Sequence, residues 1–345
     1  MLYVTTRISG DAFTAYRAMS ENRGPEGGFY VPMRLPEFDR QAINSLAEKS
    51  FAQNVAQILN LFFGTKLDSW DIELVIGRYP VKRVALNGKT AVVNVWNNAT
   101  LCFERLVSDI EKVIRQSESI HANPSDWLMI ASRIAVLFGV FGMLLRKENL
   151  EASGKIDLSL PSGDMSALMA AWYARKMGLP IGTIICCCNE NNGVWNLFHK
   201  GEIRTDAVAV QTQTPACDYA VPDDLERLIF AVSSNDEVLR FWEIVRTGGT
   251  YCPDPELLDR MREGIHICVV GGKRLGSIIP NLYKTTGYIA DPYTALSYSG
   301  LMDYRAATGM HTHALIIAEE SPLFSLGFVS ACMNMTPDAL KLQLY

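Results

Sequence analysis

Short apolar runs alternate with long helical patterns from about residue 100 onward, and this alternation constrains the fold most. Four such runs are residues 156–160, 181–187, 265–270 and 314–318. The patterns between them end at helix-stopping signals, such as Gly178 followed by Pro180. Alternation of this kind is typical of an α/β fold in which a mostly parallel sheet carries helices on both faces.

Ligands of such sheets bind outside the carboxyl ends of the strands. The loops that follow predicted strands are therefore candidate binding elements, at residues 161–166, 189–193, 271–273 and 319–322. Residues 271–274 read Gly-Gly-Lys-Arg, whose amides and cations can hold an anion. The spacing of a P-loop is missing, so a glycine turn before a solvated basic helix start is the simpler interpretation.

The N-terminal part has a different pattern, of helices and a hairpin. Asp39 is predicted to cap one helix, whose apolar residues recur at three- and four-residue spacing as far as Phe62. A shorter helix is predicted after Asp68, and Asn87-Gly88 favours a hairpin turn between residues 81–86 and 89–95. We therefore divide the chain into a helical and hairpin subdomain, residues 1–95, and an α/β large domain, residues 96–345.

Composition and charge exclude several classes of protein. The chain has 345 residues, 48% hydrophobic and 20% charged, with a formal charge of −5 and no basic run, so we expect a globular protein that does not bind nucleic acid. The apolar stretch at residues 127–145 carries Arg133 near its middle, which predicts a buried core helix rather than a membrane span.

The cysteines indicate a reducing compartment. Eight occur, three of them consecutive from Cys186, and none has a CxxC or other metal-ligand spacing. The chain does not begin with the pattern of a secretory signal. We therefore expect reduced thiols and a cytoplasmic location.

Residues 98–105, NATLCFER, resemble the cofactor-attachment motif of the threonine synthase family, enzymes that use pyridoxal phosphate (PLP). In that motif His, Gly, Pro and Thr precede Phe, Lys and Asp; here Thr100, Leu101 and Phe103 match, while residues 97–99 differ. Further resembling segments follow the family order, at residues 5–32, 189–202, 215–230 and 287–296. The resemblance implies PLP fold type II.

The departures from the family fall on its chemistry. Glu104 occupies the position of the lysine that forms the Schiff base, and a carboxylate cannot form it. The phosphate loop, Pro-Thr-Gly-Asn-x-Gly-Asn in the family, corresponds to a degenerate loop containing Ser162, Gly163, Asp164 and Ser166. Asp164 brings negative charge to that place, and a helix N-cap is its simpler interpretation.

A second departure concerns the position that addresses the pyridine ring, where Glu319 replaces the hydroxyl residue of the family. Glu319 can pair with a pyridinium, but an acidic helix start before Pro322 explains it as well.

The resemblance also implies that the smaller domain is largely deleted. Only about twenty residues connect the helix after Thr100 to Trp127, where the family inserts most of that domain and its substrate loop. Asn123, Ser125 and Asp126 resemble the far side of the gap, but Met129 stands where the family has an arginine. Surface exposed by the deletion favours a homodimer.

Two other groups were weighed for chemistry. His311 and His313 would share one face of a strand, but no third metal ligand is evident, so polar residues entering an edge strand are the simpler interpretation and no metal is expected. Asp223 and Asp224 indicate an N-cap region before Leu225.

The sequence thus predicts a threonine-synthase-like protein that has lost PLP-dependent catalysis, with no catalytic residue and no cofactor. It would serve as a ligand-binding, regulatory or interaction protein, for a small anionic or amino-acid-like ligand, and would be a homo-oligomer. One alternative is an active PLP-dependent lyase or synthase with an atypical site. Lys112 is the nearest lysine after Glu104, roughly 12 Å along the same predicted helix. Another is a PLP-independent enzyme with perturbed carboxylates or histidines at the strand ends.

Overall fold

The computed structural model describes residues 1–8, 10–96, 100–120, 125–148 and 154–344. The strands in this part of the chain are β1 (Leu2–Thr5), β2 (Phe13–Thr14), β3 (Tyr30–Pro32), β4 (Lys82–Asn87), β5 (Thr90–Asn94), β6 (Ile156–Pro161), β7 (Ile181–Cys188), β8 (Ile203–Arg204), β9 (Thr250–Tyr251), β10 (Ile265–Val269) and β11 (Ala314–Ile317).

The helices of the described residues are α1 (Ala15–Ser20), α2 (Arg40–Ser45), α3 (Phe51–Phe63), α4 (Ser69–Ile76), α5 (Phe103–Ser117), α6 (Asp126–Glu148), α7 (Ser166–Lys176), α8 (Gly193–Lys200), α9 (Leu225–Val232), α10 (Asn235–Thr247), α11 (Pro255–Arg262), α12 (Gly272–Thr286), α13 (Pro292–Thr308), α14 (Leu326–Cys332) and α15 (Pro337–Leu344).

A six-stranded sheet forms the centre, in the order β10-β7-β6-β11-β5-β4. Adjacent strands of this sheet pair in parallel, except for β4 and β5, which are antiparallel. All four apolar runs predicted to be strands lie in this sheet. Hydrophobic cores cover both of its faces, one built with α3, α6 and α7 and the other with α12 and α13. The predicted α/β fold, with helices on both faces of a mostly parallel sheet, is confirmed.

The consecutive cysteines follow the alternation of strand β7. Cys186 and Cys188 lie in the core on one face, whereas Cys187 lies in the core on the other, and all three are buried. They serve as small apolar residues in the sheet.

The N-terminal helices differ from the prediction. Asp39 caps only α2, its carboxylate accepting a hydrogen bond from the amide of Ala42. A short 3₁₀ turn, Leu46–Glu48, follows, and Ser50 then forms a capping box with Gln53 that begins α3. The prediction of one continuous helix was therefore wrong, because an internal cap restarts it.

The shorter helix and the hairpin are confirmed. Asp68 caps α4, and Asn87 and Gly88 turn the chain between β4 and β5. Strand β5 also pairs in parallel with β11, so the hairpin extends the six-stranded sheet. The division of the chain at residue 95 stays a prediction.

Helix α6 crosses the middle of the larger core. It is long and apolar enough to span a membrane by length and composition, but 83% of its apolar window is buried inside the protein. The prediction of a core helix for this stretch is confirmed. Only residues 118–125 separate α5 from α6. The deletion of most of the smaller domain stays a prediction.

Three details of the C-terminal half correct the sequence interpretation. His311 and His313 precede β11, which lies between β6 and β5 and is not an edge strand. Glu319 does not begin a helix, since α14 starts at Leu326. Asp224 does occupy the N-cap position of α9, but its carboxylate pairs with Arg227 instead of capping the helix amides.

Candidate functional site

A cavity of about 370 Å³ lies where the chain leaves β6 and β11. Its walls come from the loop between β6 and α7, the segment after β11, the first turn of α5 and the middle of α6. All six positions predicted from the sequence line it: Glu104, Ser162, Gly163, Asp164, Ser166 and Glu319. The carboxyl ends of the strands are therefore the place where these residues converge, as expected for this type of sheet.

Glu104 lies in the first turn of α5, which begins after Cys102. Its side chain is 57% exposed and forms an ion pair with Nη2 of Arg133 on α6, a residue whose side chain is only 5% exposed. Residues 97–99, which differ from the motif, lie outside the described residues, as does Asn123.

Arg133 is the cation of this cavity. Its guanidinium lies 5.4 Å from the centre of the Phe103 ring, and its Nε and Nη1 have no hydrogen-bond partner within the described part of the chain. Buried donors of this kind are costly unless they are paired. The guanidinium therefore has donors available for a further acceptor.

The loop between β6 and α7 is closed by its own hydrogen bonds. The N-cap of α7 is Met165, with φ of 69°, so the N-cap interpretation of Asp164 was wrong. Asp164 instead accepts bonds through Oδ1 from the amide of Ser166, at 2.9 Å, and from its hydroxyl, at 2.5 Å. The amide of Met165 donates to the carbonyl of Ser162, and that of Gly163 to Sγ of Cys217. These three amides already have protein acceptors.

Two glutamates follow β11. The carbonyl of Glu319 accepts a 2.9 Å bond from the amide of Phe103, which fixes the start of α5 against the end of the sheet. Burial raises the pKa of Glu319 to about 7; Arg133 opposes the rise, and the charges of Asp291 and Asp164 reinforce it. Both glutamates line the cavity.

Glu320 lies in the candidate loop at residues 319–322, but the sequence analysis gave it no role of its own. Burial raises its pKa to about 7, and the nearby charges of Asp291 and Glu319 add to the rise. Its sequence signal is its place in that loop, beside Glu319. Tyr293 was missed as a site residue; its Oη accepts a 3.1 Å bond from the amide of Ala216, and burial raises the pKa of its hydroxyl.

Arg133 did have a sequence signal. A charged residue in the middle of an otherwise apolar helix must find a partner inside the protein. The residue that argues against a membrane span therefore also points to the cavity.

The other predicted groups do not reach this site. Within the described residues, no three His, Cys, Asp or Glu side chains form a group that could hold a metal ion. The amide of Gly272, in the glycine loop after β10, already donates to Oε1 of Glu190, at 2.5 Å. Lys112 pairs with Asp109 at 2.8 Å. Among the residues that the structure describes, no lysine lines the cavity.

Known proteins with similar sequences include threonine synthases and threonine synthase-like proteins. Residues 2–79 match the family model described as the threonine synthase N terminus. The chain is 27% identical over 191 residues to threonine synthase of Saccharomyces cerevisiae, covering 50% of this chain and 36% of that protein. It is 23% identical over 180 residues to human threonine synthase-like 1, covering 51% and 24%. The matched segments thus span between a quarter and about a third of these relatives.

Solved structures agree on the fold. PLP-bound threonine synthase from Brucella melitensis superposes with a TM-score of 0.84 at 16% identity, over 100% of this chain and 94% of that one. Yeast threonine synthase gives the same TM-score over 99% and 93%. The chain therefore has the fold of these threonine synthases, PLP fold type II, and its sequence is similar to theirs.

Proposed function

We propose that this chain is a threonine-synthase-like binding protein that does not carry out PLP-dependent catalysis. One observation carries the proposal: the residue at the Schiff-base position is Glu104, it pairs with Arg133, and no lysine lines the described part of the cavity. Without an amine in reach, PLP has no group to which it can be linked.

The residues present also fit the phosphate of PLP poorly. A phosphate group needs free amides at a helix start and favourable charge. Here the amides of Gly163, Met165 and Ser166 have protein acceptors, and the carboxylate of Asp164 lies beside them. Placing a doubly charged phosphate next to this carboxylate is unfavourable. The described residues of the cavity therefore do not fit PLP.

The test is a direct search for a covalent cofactor. The purified chain is incubated with PLP, treated with borohydride, digested and analysed by mass spectrometry, with yeast threonine synthase as the matched control. We expect the control to give one reduced lysyl adduct per chain and this protein to give none at stoichiometric level. A single-site adduct on this chain would refute the proposal, and an adduct on Lys112 would support the alternative of an active PLP enzyme with an atypical site.

One observation favours a second candidate function, a PLP-independent enzyme. That interpretation predicts perturbed carboxylates at the strand ends, and Glu319 and Glu320 have pKa values raised to about 7. Groups with such pKa values suit general acid–base catalysis near neutral pH. Turnover of a bound ligand that is lost in Glu320→Gln would distinguish this enzyme from a binding protein. A cytoplasmic location and a homo-oligomeric state stay predictions.

A further inference from the structure

The charges of the cavity are strongly unbalanced. Four carboxylates line it, from Glu104, Asp164, Glu319 and Glu320, against the single guanidinium of Arg133 among the described residues. A cavity of this charge repels phosphorylated and other polyanionic ligands and attracts cations.

The contacts that the charged side chains of the cavity already make show which of them are available to a ligand. Glu104 is held by Arg133, and Oδ1 of Asp164 is held by Ser166. In the described part of the chain, the carboxylates of Glu319 and Glu320 have neither a hydrogen-bond nor an ion-pair partner. Within the described residues, Arg133 in turn keeps two nitrogens, Nε and Nη1, without an acceptor although its side chain is 95% buried. The site therefore offers both unmatched acceptors and unmatched donors.

We propose that the cavity binds a basic amino acid, such as lysine or ornithine. Its α-carboxylate accepts from Nη1 of Arg133, and its two cationic groups lie among the carboxylates of Glu319, Glu320 and Asp164. The proposal rests on the proposed function, since it requires a cavity that PLP does not fill. Of the two ligand classes expected from the sequence, anionic and amino-acid-like, it selects the second.

Other classes of ligand fit less well. A metal ion needs three or four converging ligands, and the described residues contain no such group. A diamine satisfies the carboxylates but leaves the buried N–H groups of Arg133 unpaired, which is unfavourable. The α-carboxylate of a neutral amino acid pairs with Arg133, but such a ligand lacks the side-chain cation of a basic amino acid and leaves one more carboxylate of the cavity without a cation. A volume of about 370 Å³ lies within the range of small-molecule sites.

The test is isothermal titration calorimetry of the full chain at pH 8 with a matched ligand series. L-Lysine is compared with cadaverine, which lacks the carboxylate, with L-norleucine, which lacks the side-chain cation, and with L-glutamate. We expect L-lysine to bind at least about ten-fold more tightly than cadaverine or norleucine, since each loses a charge-assisted hydrogen bond. L-Glutamate is expected to bind most weakly, because its second carboxylate meets the acidic wall.

A variant pair assigns the binding to this cavity. Glu320→Gln preserves shape and removes one negative charge, and we expect it to weaken L-lysine binding about ten-fold or more. Glu73→Gln, an exposed position on α4, is the control and should leave affinity unchanged. Circular dichroism checks the fold of each variant. If Glu320→Gln does not fold, the ligand series on the unaltered chain decides alone.

The outcomes separate this inference from the proposed function. No L-lysine binding at millimolar concentration, or equal affinity for norleucine or glutamate, overturns the basic-amino-acid inference and leaves PLP-independence standing. A stoichiometric PLP adduct on the same preparation overturns both. Selective L-lysine binding that Glu320→Gln weakens and Glu73→Gln preserves supports the inference.

Discussion

Replacing Glu319 by glutamine is expected to stabilise the protein at pH 8. Burial raises the pKa of this carboxyl from its ordinary value of 4.5 to about 7. The positive charge of Arg133 opposes this rise, whereas the negative charges of Asp291, Asp164 and Glu320 favour it. A carboxyl whose pKa is higher in the folded state binds its proton more tightly there than in the unfolded chain. Its favourable contribution is therefore complete below about pH 4.5 and is lost as the pH rises through about 7.

The magnitude follows from that difference in pKa. A change from 4.5 to about 7, at about 1.36 kcal/mol for each unit of pKa, corresponds to at most about 3 kcal/mol of unfolding free energy at pH 8. Unfolding entropy is about 2.1 cal/mol/K per residue, so for 345 residues the same free energy raises the melting temperature by about 4 °C.

The assay is thermal denaturation of the unaltered chain and of Glu319→Gln at pH 8 and pH 5. We expect the variant to melt about 4 °C higher at pH 8, and the gap to narrow to about 1 °C at pH 5, where the carboxyl is protonated in the folded state but only partly so in the unfolded chain. Glu73→Gln on the exposed face of α4 is the control and should change neither curve. A lower melting temperature for Glu319→Gln at pH 8, or an equal gap at both pH values, would refute the reasoning.

Three further results are expected. The affinity for L-lysine should rise between pH 6 and pH 8 as the two glutamates after β11 lose their protons, and a flat calorimetric profile would contradict this. Glu226→Ala should lower the free energy of unfolding in urea by about 3–5 kcal/mol, because it removes the carboxylate that pairs with the buried Arg7 at 2.6 Å. Glu243→Ala breaks an exposed ion pair and should change the free energy of unfolding by less than about 1 kcal/mol. Glu104→Lys should still give no stoichiometric PLP adduct, because Asp164 and the bonded loop amides remain; borohydride trapping of one adduct per chain would show that the lysine alone was missing.

Local patterns predicted the elements of the fold, but not how distant elements pair. Runs such as residues 156–160 and 181–187 are short, apolar and bounded by turn signals, so their assignment as strands needs no tertiary information. The central place of β11 depends on pairing with β6 and β5, which no local pattern contains. The polar residues before it therefore suggested an edge strand.

The N-terminal error has a local cause that the sequence did contain. Apolar spacing runs without interruption past residue 50, which favours one helix, but Ser50 and Gln53 have the spacing of a capping box. A cap inside an apolar periodicity competes with continuation of the helix. Here the cap prevails, since Ser50 satisfies the amide of Gln53 and the Gln53 side chain satisfies that of Ser50.

The candidate site was predictable where a loop follows a predicted strand and where the family motifs align. Glu104 and Glu319 were found because they stand at positions where the family carries functional residues, and both line the cavity. Arg133 and Glu320 belong to no quoted motif, and their roles depend on the distance between α6 and the end of β11. The hydrogen bonds from Ser166 to Asp164 in the β6–α7 loop depend on the local backbone conformation and could not be predicted from the sequence.

The exchange of lysine for Glu104 changes the site by more than one lost group. An amine at that position would add a cation to the cavity, whereas Glu104 adds an anion and also engages Nη2 of the one described cation, Arg133. Asp164 meanwhile occupies the amide and hydroxyl of Ser166 that begin α7. Each change disfavours a phosphate, and together they leave four carboxylates in the described lining of the cavity against the single guanidinium of Arg133. A cation brought by the ligand restores that balance, so the same substitutions that argue against PLP argue for a basic ligand.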